Sequence, residues 1–118
     1  MSDRELLELA AKAIGLDTGH SMNAERMALD PPVTSLLVTR RGELVSTAWN
    51  PLKDDGQALR LALSLRLTIK PDVAPRALVI TPCDFGRREI GNSSESDLAA
   101  NVRRAIVRAA AEIGRAMP

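Results

Sequence analysis

With 118 residues and 12.7 kDa, the chain has room for one domain, residues 1–118, around one core. It is 45% hydrophobic and 26% charged, which excludes a disordered chain, and only 2% aromatic (Trp49 and Phe85, no tyrosine), so aliphatic side chains must fill that core. Sixteen basic and fifteen acidic residues leave a net charge of +1, so nothing global demands nucleic acid or an anionic membrane.

Ser2 followed three residues on by Glu5 has the form of a capping box. Leu6, Leu9, Ala10 and Ala13 then recur at helical spacing and Gly15 supplies a stop, which predicts a first helix over Asp3–Ile14. Residues 16–33 form a long polar segment closed by Pro31-Pro32. Irregular loops of that length are uncommon in compact domains, and the alternative is a short helix around Asn23–Leu29. T-S-L-L-V-T-R and L-V-S-T-A-W are rich in β-branched residues and flank R-G-E, which predicts a hairpin of Leu36–Arg40 and Leu44–Trp49. Pro51 ends its second strand.

The leucines at 59, 61, 63, 65 and 67 alternate as in a half-buried strand, but Leu, Ala and Arg are helix formers and no β-branched residue occurs between Trp49 and Thr68. At about 100° per residue, Leu59, Leu63 and Leu67 make one stripe and Leu61 and Leu65 a second, with Ala58 and Ala62 between. The expectation is a helix covered on most of its circumference, with Gln57, Arg60 and Ser64 on the remaining arc and Arg66 snorkelling. Asp54 is placed as its cap. A metal site or acid–base pair at Asp54 and Asp55 is the rival reading, and the single histidine leaves a metal without further ligands.

L-T-I-K-P-D-V reads as an edge strand, R-A-L-V-I-T-P as a buried one, and Arg88–Ile90 as a last short strand within a turn-rich segment. From Glu95 to Met117 the spacing is helical again, with Ser94 or Ser96 available as the cap. The order is helix, hairpin, helix, one to three strands, helix. It predicts an α/β (α+β) sandwich of three helices on a small, mostly antiparallel sheet.

The run W-N-P-L-K-D-D-G-Q-A-L-R-L-A-L, followed near the C-terminus by R-R-A-I-V-R-A-A-A-E-I-G, resembles the phage and prophage α/β/α ("ABA") sandwich domain family of small proteins. With the first helix, these runs cover about half the chain; residues 68–96 carry no resemblance. The resemblance implies a sandwich fold and a phage or prophage origin. The family brings no settled activity, cofactor or catalytic residues.

On the last helix, Asp97, Arg104, Arg108 and Arg115 lie within about 40° of one another, opposite Leu98, Val102, Ile106, Ala109, Ile113 and Met117. With Arg103 the three arginines are candidates for meeting an acidic protein surface or a phosphate backbone, the alternative being a solvated face. Phe85 and Ile90, flanked by Arg87 and Arg88, are a second candidate contact, apolar residues with a basic rim, unless both dip into the core. His20 in D-T-G-H and the D-F-G at 84–86 read as turns, and Cys83 as a buried thiol, because none has catalytic company nearby.

One cysteine excludes an intramolecular disulfide, and M-S-D-R-E-L-L-E-L-A lacks the layout of a secretory signal, so a reducing cytoplasm is expected. No apolar run has the length of a membrane span. No cofactor or metal is implied. The functional expectation is a non-enzymatic phage accessory protein that binds another protein, with action against a host defence system suggested by origin alone. The alternatives are nucleic-acid binding through the arginine face and a structural or assembly role in the virion, with self-association as its mark.

Overall fold

The computed structural model describes residues 1–71, 77–81, 89–92 and 98–118. Its elements are α1 (Asp3–Ala13), α2 (Ser21–Met27), β1 (Leu36–Arg40), β2 (Glu43–Trp49), α3 (Asp55–Ser64), β3 (Thr68–Pro71), β4 (Ala77–Thr81), β5 (Glu89–Asn92) and α4 (Leu98–Ala116). The fold is α+β, and among the described residues every strand pairing is antiparallel. The strands form two sheets, β1-β2 and β3-β4-β5.

Local chemistry sets the ends of the elements. The Glu5 N–H donates to Ser2 Oγ at 3.2 Å, starting α1. At the other end Leu16 N–H returns to the Ala11 carbonyl and Gly15 N–H to that of Lys12, the paired bonds of a Schellman stop, with Gly15 at φ 77°. The α3 helix closes in the same way through Leu67 N–H to Ala62 and Arg66 N–H to Leu63, but an arginine holds the left-handed position, at φ 53°. Arg66, expected to snorkel, is this stop. Arg41 and Gly42 both have positive φ, which gives the β1-β2 hairpin its tight turn.

The loop expected at 16–33 contains α2, capped by His20, whose Nδ1 accepts from Met22 N–H at 3.1 Å. Its buried Asn23 works as a substitute strand: Oδ1 accepts from Leu37 N–H and Nδ2 donates to the Leu37 carbonyl, both at 2.8 Å. Asp17 and Thr39 exchange backbone bonds beside it. These contacts cover the β1 edge away from β2, and Leu36, Leu37 and Val38 are all buried.

The core gathers Leu6, Leu7, Ala10 and Ala11 of α1, Leu36 and Val38 of β1, Trp49, and Ala58, Leu61 and Ala62 of α3 around Ala105–Val107 and Ala109–Ala111 of α4. Helices α1 and α4 meet through alanines and one glycine. A Cβ placed on Gly114 would lie 2.8 Å from the Leu9 carbonyl carbon and closer still to its oxygen. The sequence predicts α3 covered on most sides, and the structure corrects this: Leu59 is 54% and Leu63 67% exposed. Only the stripe of Ala58, Leu61 and Ala62 is buried, because the core lies on one side of the helix. Among the described residues no helix is long and apolar enough to cross a membrane.

Candidate functional site

The four α4 arginines named from the sequence have separate surroundings. Arg103 Nε donates to the Leu52 carbonyl at 2.9 Å and its Nη1 to Asp55 Oδ1 at 2.6 Å, which ties α4 to the first turn of α3. Arg104 Nη2 donates to Asp3 Oδ1 at 3.0 Å, tying α4 to the first turn of α1. Arg115 lies 3.7 Å from Glu112 on its own helix. Arg108 is exposed and makes no ion pair among the described residues. The helix thus presents one uncompensated guanidinium amid intramolecular braces. Phe85, Arg87, Arg88 and Cys83 lie outside the described residues.

The acids at the start of α3 are engaged in structure. Asp54 Oδ1 accepts from Gln57 N–H at 2.8 Å as the cap, and Asp55 meets Arg103. In D-T-G the Asp17 carboxylate accepts from Gly19 N–H at 2.8 Å, closing a turn. Among the described residues no three His, Cys, Asp or Glu side chains come close enough to hold a metal ion.

Three surface features stand out instead. The first is apolar: Leu59 and Leu63 sit one turn apart on α3, both more than half exposed, and Leu44 (60%) and Val45 (49%) are exposed on β2. The second is a cleft of about 380 Å³ between the start of α1, Met27, Pro32 and the turn Asn50–Lys53. Of its charged lining residues, Asp3 and Arg4 are paired with Arg104 and Glu8, and Lys53 is the third. The third is a cleft of about 310 Å³ between the hairpin and α3. Ile14, Leu16, Val45 and Leu61 give it apolar walls, and Arg40, Arg60 and Trp49 line it together. The Gln57 amide spans the same junction, with Oε1 accepting from Asn50 N–H and Nε2 donating to the Ala48 carbonyl.

Reading the sequence marks none of Trp49, Arg40 and Arg60 as a site residue, because they stand on different elements. The one signal was local: Arg60 falls on the arc of α3 that the helical placement left polar. Among the described residues the fold is α+β, with four helices and two antiparallel sheets. No family model, curated protein or solved structure matches the chain.

Proposed function

We propose that this chain is a non-enzymatic binding protein of phage or prophage origin, acting in the cytoplasm of a bacterial host on a protein partner. The observation that carries the reading is the Leu59–Leu63 pair. A helix whose other face is packed into the core holds two leucines one turn apart in water, and clustered exposed apolar side chains mark interaction sites where scattered ones do not. Arg60 adjoins the pair, which favours a partner surface that is apolar with an acidic margin. The resemblance of residues 49–63 and 103–114 to the phage sandwich family supports the origin.

Nucleic-acid recognition through α4 is the weaker reading, because Arg103, Arg104 and Arg115 each already have a carboxylate beside them. The test is affinity capture from host lysate with three baits: wild type, Leu59→Glu/Leu63→Glu, and Arg104→Glu/Arg108→Glu. The partner is then purified and the binding reconstituted. Loss confined to the leucine variant supports this surface. Loss confined to the arginine variant moves the site to α4, and self-association unaffected by either change points to a structural role.

A further inference from the structure

The cleft between the hairpin and α3 is lined by Arg40, Ser46, Trp49, Gln57, Arg60 and Ser64 beside its apolar walls. Trp49 is the chain's only tryptophan and only 6% exposed. Its indole N–H has no acceptor among the described residues, although a buried indole normally finds one. Arg60 is exposed and likewise makes no ion pair among them. The opposite wall carries Arg40, which spends one Nη2 bond of 3.0 Å on the Ile14 carbonyl and keeps its remaining donors. The hydroxyls of Ser46 and Ser64 lie in the same lining. No carboxylate is among the described residues that line the cleft. Asp54 stands near the Arg60 guanidinium across Gly56, beyond ion-pair distance, and is held as the α3 cap. The Gln57 amide is occupied at both ends.

Arginine donors to spare, an indole N–H without an acceptor and no carboxylate among the described lining residues make an environment that favours an anion. The apolar walls from Ile14, Leu16 and Val45 add room for a small hydrocarbon body, and about 310 Å³ lies at the lower end of ordinary ligand-site volumes. We infer that this cleft binds a small organic oxyanion. Its charged head lies between Arg40 and Arg60, one oxygen accepts from the Trp49 indole N–H, and its apolar part rests against Ile14, Leu16 and Val45. Guanidinium forks match both carboxylate and phosphate oxygens, so the shared chemistry is the oxyanion. This site does not depend on the proposed protein-binding role of Leu59 and Leu63.

A single tryptophan makes the test simple to read, since the one indole N–H resonance belongs to Trp49, which lines this cleft. Wild-type protein is titrated with n-butyl phosphate, butyrate and n-butylammonium at matched ionic strength, following that resonance in a two-dimensional ¹⁵N–¹H spectrum. The expected result is a saturable indole shift with one or both anions and none with the ammonium compound, the tighter anion telling a phosphate source from a carboxylate one. Arg60→Gln, on an exposed side chain, is expected to keep its circular dichroism and bind at least about tenfold more weakly. An indole resonance unmoved by both anions overturns the inference. So does an equal response to n-butylammonium, or affinity unchanged in Arg60→Gln.

Discussion

Gly114→Ala tests the close approach of α4 to the α1 backbone. The added methyl would meet the Leu9 carbonyl carbon at 2.8 Å and the Ala13 nitrogen at 3.4 Å, with the Leu9 oxygen nearer than any real contact. The obstacle is backbone inside a hydrogen-bonded helix, so no rotamer change relieves it and α1 must move away from α4. Overpacking of this kind costs about 1–3 kcal/mol, and the immovable neighbour places it at the upper end. Alanine returns about 1 kcal/mol of helix propensity, leaving a net loss of about 2 kcal/mol. For a domain of this size that is a melting temperature lower by about 8 °C. Gly56→Ala is the matched control: its methyl meets only side-chain atoms, Asp54 Oδ1 at 3.3 Å and the Arg60 guanidinium at 3.6 Å, so a shift of a few tenths of an ångström relieves it without moving backbone. It is expected to be neutral or stabilising by up to about 1 kcal/mol. Urea unfolding followed by Trp49 fluorescence measures both variants. A Gly114→Ala protein as stable as wild type, with an unchanged denaturant slope, would refute the close crossing of α1 and α4.

Three further outcomes follow from the same contacts. Asn23→Ala strips the Leu37 N–H and carbonyl of their partners at a strand position only 9% exposed. It should cost about 3 kcal/mol in urea unfolding and speed hydrogen exchange of the Leu37 amide, whereas a cost below about 1 kcal/mol would contradict the edge-covering role. Arg103→Met should destabilise by about 1–2 kcal/mol by freeing the Leu52 carbonyl. Asp55→Ala, whose side chain is 79% exposed, should cost less than about 1 kcal/mol. The reverse order in denaturation would mean that the ion pair and not the carbonyl bond holds α3 to α4. Leu59→Glu/Leu63→Glu should change stability by no more than about 1 kcal/mol in a thermal melt, and a collapse of the fold would show that these leucines are packed.

What the sequence reveals here depends on how local each cause is. The ends of α1 are legible because Ser2, Glu5 and Gly15 act within a few residues of the helix they bound, and the hairpin is legible because Arg41-Gly42 lies between two β-branched runs. The existence of α3 is legible for the same reason. Its exposed face is not, since Leu59/Leu63 and Leu61/Leu65 are equivalent by composition and only the position of the core decides between them. Asn23 is one polar residue in a polar segment until the fold carries it to Leu37, fourteen residues on. The α4 arginines have the spacing of a cationic face, but Asp3 and Asp55 reach two of them from far along the chain. The Trp49 cleft joins residues from three elements and the α1 stop, so no window of sequence contains it.

The two surfaces argued to bind share one helix, and their separation follows from its geometry. On α3, Ala58 and Ala62 face the core, Leu59 and Leu63 follow about 100° round from them, and Gln57, Arg60 and Ser64 occupy the far side toward the hairpin. Arg60 stands between the leucine pair and the cleft. A charge placed at 59 and 63 leaves the cleft donors in position, and removal of the Arg60 charge leaves the leucines exposed. The double glutamate variant should therefore lose protein capture and keep the indole response to anions. Arg60→Gln should lose the indole response and weaken capture only as far as the partner's acidic margin uses that guanidinium. Loss of both functions in the leucine variant, with the melting temperature preserved, would mean that a single ligand spans the helix.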